Sequence, residues 1–321
     1  MRRSAKGAML ILLGLFLAAP GVKAQESLPP GGVVRQSRDD AWWTGPMLAP
    51  SAGTLPRGHF LIEPYFYDVI AAHSRGYGSL TYALYGLAEK FTVGVIPTVG
   101  YNTVSDGLNG AGIRMGDVSV QGQYRLHQFH EGGWIPTTSV ALQETLPTGK
   151  YDRLGERPSD GLGSGALTTT LALYSQTYFW LPNGRILRTR FNVSESISRE
   201  VTVQDVSVYA TQAGFRGHAQ PGSALLVDLS GEYSLTRRWV LALDATYRYQ
   251  GNTAVSGYNS LDPAQPSVHL NSGSSAPIGF APAIEYSWKP NLGVLIGTRI
   301  IAAGRNTPTT ITPALAINFV H

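Results

Sequence analysis

From Gly58 to the end, the chain repeats one pattern: apolar or aromatic residues at alternate positions, with small, polar or charged residues between them. Residues 239–250, WVLALDATYRYQ, set Trp239, Leu241, Leu243, Ala245, Tyr247 and Tyr249 against a second set that includes Asp244, Thr246, Arg248 and Gln250. A period of two marks a strand with two unlike faces. In 225–235, Leu225, Val227, Leu229, Tyr233 and Leu235 oppose Leu226, Asp228, Ser230, Glu232 and Ser234. In 278–288, Ile278, Phe280, Ile284, Tyr286 and Trp288 oppose Gly279, Ala281, Ala283, Glu285 and Ser287. The pattern predicts strands near 58–70, 78–87, 90–100, 117–129, 134–146, 165–180, 185–199, 222–235, 238–250, 276–288, 291–303 and 309–320. That makes about twelve, with no helical period among them.

The connections separate alternatives that one strand leaves open. Short turns at LAEK (87–90), HEGG (130–133), LPNG (181–184), TRR (236–238) and KPN (289–291) alternate with loops at 101–116, 147–164, 201–221 and 251–275. The connections at 71–77 and 304–308 are fairly short. An even strand count with segregated short turns and long loops predicts an all-β fold: a closed antiparallel transmembrane barrel of the bacterial outer membrane, both termini on the periplasmic side. The faces agree. A soluble sandwich needs large apolar side chains facing one another, whereas a barrel sets them outside against lipid and tolerates Gly, Ala, Ser and ions within. Phe91, Tyr101, Trp134, Phe179, Trp180, Trp239 and Trp288 fall near strand ends, where an interfacial girdle is expected. Pro64, Pro97, Pro136, Pro282 and Pro313 fall inside predicted strands and must occupy bulges, strand ends or non-donating positions.

Composition sharpens this reading. Of 321 residues, 43% are hydrophobic and only 14% charged, low for a soluble protein. Cysteine is absent, which excludes disulfides, thiolate zinc sites and a Cys nucleophile. The N-terminus has a basic start (Arg2, Arg3, Lys6), an apolar run from Ala8 to Ala19 and a small-residue site at Val22-Lys23-Ala24. This predicts a signal peptide over 1–24. Its four basic residues account for the formal charge of +4, so the remainder is neutral and carries no nucleic-acid footprint. The Pro- and Gly-rich residues 25–57 form an irregular periplasmic arm, and 58–321 form the barrel.

The inward faces carry Glu63, Arg125, Arg188, Arg190, Asp228, Glu232, Asp244, Arg248, Glu285 and Arg299. Charges at membrane depth face water or one another. They therefore line a wet lumen that orients a solute, or pair off inside a closed structural barrel without transport. In RILRTRF, Arg188 and Arg190 share a face with Asn192, a positive stripe suited to carboxylates or phosphates. Pairing with Asp228 and Glu232 on the next strand is the alternative. In the arm, Trp42 and Trp43 stand beside Asp39 and Asp40. They are candidates for a plug stacked on Tyr65 and Tyr67; a periplasmic lead-in, disordered or fastened to the rim, is the alternative. An outer-membrane hydrolase would group His, Ser and acidic residues at one rim. Here His73-Ser74 is a bare dipeptide, His127 and His130 flank a turn, and His218 and His269 fall in loops. No catalytic, metal or cofactor site is assigned.

Two segments extend the reading by resemblance. The last strand, TTITPALAINFVH, alternates Ile311, Pro313, Leu315, Ile317 and Phe319. It resembles the C-terminal strand read by the bacterial barrel-insertion machinery, although Val320 and His321 follow the aromatic on which that signal ends. The segments WWTGPMLAPSAGTLPRGHFLIEPYFY (42–67) and LQETLPTGKYDRLG (142–155), followed by SDGLGSGA, resemble the outer-membrane transporters of the phenol meta-pathway family. The resemblance implies a barrel in outer-membrane lipid that passes small solutes, often aromatic or hydrophobic.

Overall fold

In a computed structural model, residues 33–262 and 267–321 are described, and the predicted signal peptide lies outside them. The strands are β1 (Phe60–Ile70), β2 (Ser74–Ala88), β3 (Phe91–Ile96), β4 (Thr98–Val104), β5 (Arg114–Met115), β6 (Val118–His127), β7 (Thr137–Leu146), β8 (Thr168–Trp180) and β9 (Ile186–Ser198). There follow β10 (Val201–Gln204), β11 (Phe215–Gln220), β12 (Ala224–Ser234), β13 (Trp239–Gln250), β14 (Ala254–Asn259), β15 (Val268–Asn271), β16 (Ala276–Lys289), β17 (Leu292–Arg305) and β18 (Thr310–Val320). Every pairing is antiparallel, and β1 pairs with both β2 and β18, which closes the sheet. β4 continues β3 beyond Pro97, so the barrel has the twelve strands that the alternation predicts.

The faces are those of an inside-out protein. Leu243 is 50% exposed while its neighbour Asp244 is fully buried. Phe66, Leu142, Leu171, Phe280, Ile296 and Ile311 are exposed around the wall. An apolar belt of this extent is what a lipid-facing surface requires. Trp180 departs from the predicted girdle: it turns inward, and its Nε1 donates to the Gln36 carbonyl at 2.8 Å. Trp134 lies in the turn between β6 and β7 and is 87% exposed.

The prolines sit where the ladder needs no donor. Pro136 precedes β7, and Pro97 separates β3 from β4. Pro282 falls in a gap of the β16–β17 ladder between Phe280↔Ile300 and Ala283↔Gly297, with the register unchanged across it. Pro64 and Pro313 both fall in gaps of the closing β1–β18 ladder, between Ile62↔Phe319 and Tyr65↔Ala316, and between Tyr67↔Ala314 and Ile70↔Ile311, with the register unchanged across them. Beyond Pro97, β4 pairs with β2 and briefly with β5, and loop residues bond it further. Gly116 N donates to Thr98 O at 2.9 Å, and Asn102 Nδ2 to Ser159 O at 3.1 Å.

The long connections differ from expectation. Residues 201–221 and 251–275, read as loops, contain a second sheet of order β10-β11-β14-β15 at the long-loop end. His218 and His269 accordingly lie on strands. This sheet has its own core of Val201, Val203, Phe215, Ala219 and Val255, packed on Ala166. Gly217 faces Gly257 across β11 and β14, and a Cβ on either would meet Phe215 Cζ at 2.8 Å. The Phe215 ring thus fills the space that two missing side chains leave.

Candidate functional site

The lumen is occupied by the arm, and the inward charges hold it there. At the short-turn rim, Gln36 N donates to Gly184 O at 2.9 Å, and Gln36 Nε2 to Ser234 Oγ at 2.8 Å. Trp42 N donates to Arg237 O at 2.9 Å. The chain then enters the barrel. Thr44 N and Oγ1 donate to Glu285 Oε2 at 2.7 and 2.9 Å, and Gly45 N joins them at 3.2 Å. Met47 N and Leu48 N donate to Asp244 Oδ2 at 3.0 and 3.2 Å, and Ala49 N to Oδ1 at 3.1 Å. Two carboxylates on β13 and β16 therefore satisfy most of the backbone donors of a segment that has no sheet partner. Buried amides require such acceptors.

On the opposite wall the polarity reverses. Arg190 Nη1 donates to Ala49 O at 2.6 Å, and Asn192 Nδ2 to Pro50 O at 2.9 Å. Gln123 Nε2 donates to Ser51 O at 2.9 Å, and Leu55 N to Thr92 Oγ1 at 2.9 Å. Residues 44–55 thus cross from β16 through β13 and β9 to β6 and β3. Small inward residues make room for them. A Cβ on Gly293 would lie 2.3 Å from Thr44 Cγ2, and one on Gly86 would lie 2.0 Å from Pro56 O.

Of the ten inward residues of the sequence reading, six are engaged with one another, with the wall or with the arm. Asp244 and Glu285 clamp the arm. Arg188, Arg190 and Glu232 form a buried cluster: Arg188 pairs with Glu232 through Nε and Nη2, and Arg190 Nη2 lies 3.4 Å from the same carboxylate. Glu63 accepts from Asn318 Nδ2 at 3.0 Å. These groups are engaged, so the Arg188/Arg190 stripe is not free for a solute; Glu232 and the arm carbonyls occupy it. Asp228, expected to share that pairing, forms no ion pair with either arginine among the described residues. Arg248 bonds Gln250 Oε1 at 2.9 Å, and Arg125 sits near the short-turn end, its backbone N donating to Lys90 O at 2.8 Å. Arg299 makes no ion pair among the described residues, and its buried Nε has no hydrogen-bond partner.

The indoles are not where stacking on tyrosine would set them. Arg188 Cζ lies 4.5 Å from the Trp43 ring centroid, and Arg237 Cζ lies 4.9 Å from that of Trp42. Each indole face is taken by a guanidinium instead of a second ring. Met47, rather than an indole, packs on Tyr65. What sequence reasoning missed is the length of chain that the lumen engages: backbone donors of 44–49 leave no trace in side-chain chemistry.

Two cavities adjoin the arm. One, of about 340 Å³, is lined by Glu63, Thr92, Gln121, Gln123, Tyr174 and Arg188 among others. The other, of about 380 Å³, lies toward the long loops against Met47, Leu48, Tyr65, Tyr67, Tyr82 and Arg299.

The chain resembles solved outer-membrane barrels. It aligns with the COG4313 outer membrane channel from Pseudomonas putida F1 at a TM-score of 0.65 and 12% identity, over 86% of this chain and 100% of that one. The NanC porin aligns more loosely, at a TM-score of 0.45 and 11% identity, over 80% and 98%. No curated protein matches the sequence. At this identity the likeness establishes the fold, and the closed wall with its apolar belt is that of an outer-membrane barrel. Family membership rests on sequence: residues 46–312 match the family described as "Putative MetA-pathway of phenol degradation", and the chain belongs to it.

Proposed function

We propose that the protein is an outer-membrane channel or facilitated-diffusion transporter for small, aromatic or hydrophobic molecules, with residues 36–57 as its internal plug. One observation carries this reading: the arm lies inside the closed wall on two carboxylates and an arginine, beside an aromatic-lined cavity. A barrel built only for rigidity has no need of a separate strap of chain through its middle. Family membership supports the aromatic solute class, and likeness in fold to a channel agrees with passage. The C-terminal strand ending near Phe319 is the segment through which the insertion machinery recognises the chain.

The test is single-channel conductance in a planar bilayer, comparing the protein with a form lacking residues 25–57. We expect small or rare steps from the intact barrel and large, steady ones after the deletion. Equal conductance in both forms overturns the plug. Silence from both, with folding verified by heat-modifiable migration, overturns an aqueous pore.

A further inference from the structure

We propose that the cavity on the long-loop side of the arm is a subsite for a small aromatic carboxylate, bound by Arg299 through its carboxylate and by the tyrosines of β1 and β2 through its ring. This deepens the channel reading and rests on it for the solute's passage, though not for its binding.

The argument starts from which charges are free. Glu285, Asp244, Glu232, Arg188 and Arg190 are consumed by one another and by the arm. Arg299 is not. It lines the cavity, has no carboxylate within ion-pair distance among the described residues, and keeps a buried Nε donor unused. A buried donor without an acceptor is destabilising, so such a group aimed into a cavity marks a place for an acceptor that the chain itself does not supply. Arg248 is close enough to act on Arg299 electrostatically, and among the described residues its side chain bonds only neutral Gln250. The nearest acidic group that acts on Arg299 is Asp228, almost fully buried and beyond ion-pair distance. Two guanidinium groups against one buried carboxylate leave this end of the lumen positive.

The walls select the rest of the ligand. Tyr65, Tyr67, Val69, Leu80 and Tyr82 form one side, and Met47 and Leu48 of the arm form the floor. Tyr65 and Tyr82 meet edge to face with centroids 6.0 Å apart. The Tyr67 ring lies over Gly78, where a Cβ would come within 2.4 Å of Tyr67 Cζ, so the ring is held against the inner wall. Aromatic faces and edges presented in this way favour a flat ring. The hydroxyls of these three tyrosines have no hydrogen-bond partner among the described residues and suit ring hydroxyl substituents. A guanidinium binds a carboxylate through two parallel N–H donors. At about 380 Å³ the cavity lies at the small end of ligand sites, the size for a single-ring compound.

The experiment is calorimetric titration of the purified full-length barrel in detergent with benzoate, hexanoate and benzyl alcohol, alongside Arg299→Gln and Arg299→Lys. We expect benzoate to bind at least tenfold more tightly than benzyl alcohol or hexanoate. Arg299→Gln should raise the benzoate Kd tenfold or more and leave benzyl alcohol unchanged. Arg299→Lys, which keeps the charge and loses the planar fork, should fall between. Equal binding of benzoate and benzyl alcohol, or a benzoate Kd indifferent to both variants, overturns the subsite. Benzoate flux into liposomes separates the two readings. Binding as expected without flux leaves the subsite standing and removes the channel. Flux that ignores Arg299, without saturable binding, does the reverse.

Discussion

Glu232 carries the balance of the buried cluster. It is fully buried and faces both Arg188 and Arg190, so it is the shared counter-ion of two guanidinium groups. Replacing it with Gln leaves two adjacent buried cations without the carboxylate that pairs with both. Breaking such a pair from one side costs about 3–5 kcal/mol. We expect Glu232→Gln to lower the temperature at which the heat-modifiable band converts to the unfolded one, and to lower the urea midpoint in proportion. A loss below about 1 kcal/mol would mean that water screens the cluster as it does a surface pair. At this scale the sequence reveals which residues face inward, because strand parity decides it. It does not reveal which of them are paired. Asp228 and Glu232 lie on the same face of β12, yet only Glu232 meets the arginines.

Among the elements, the long loops are tied to the barrel by side chains outside the membrane. Asp160 accepts from Ala111 N at 2.8 Å and from Arg114 Nη2 at 3.0 Å. The Ala111 amide first, and then Arg114, hold its carboxyl below the usual carboxylate range. A depressed native value means that its contribution is complete above the unfolded pKa, about 3.9, and is lost as the pH falls through the native one. Amide exchange at residues 108–116, corrected for the intrinsic rate, should stay slow down to about pH 4 and rise below it. In Asp160→Asn the acid-dependent rise should vanish. The barrel strands were legible because most run over ten or more residues and the alternation recurs from strand to strand. β10, β11, β14 and β15 were not: at four to six residues, with Gly217 and Gly257 in mid-strand, they offer too few periods to separate from loop. The ladder gaps at the prolines belong to the same lesson. A proline signals a missing donor, and only the pairing tells on which side it is missing.

For the whole molecule, closure and strand number follow from the even count and the division of the turns. The filling of the barrel does not. An inward face of Gly, Ala and ions suits a water-filled pore and a threaded one equally well, and Gly86 and Gly293 become meaningful only beside Pro56 and Thr44. The arm is also joined to β1 by a few residues, for Gly58 N already bonds Gly86 O at 2.8 Å. It therefore behaves as a tethered ligand whose local concentration is set by the length of its own leash. A short flexible connection supplies an effective concentration of order millimolar. A peptide covering 42–55, added to a barrel lacking 25–57, should therefore reduce its conductance at concentrations well below about a millimolar, because the tether keeps the arm inside only if the free segment's dissociation constant lies under that effective concentration. The strap can accordingly grip each residue weakly and still spend nearly all its time inside. A solute has to outcompete only a few local contacts at a time, never the segment as a whole.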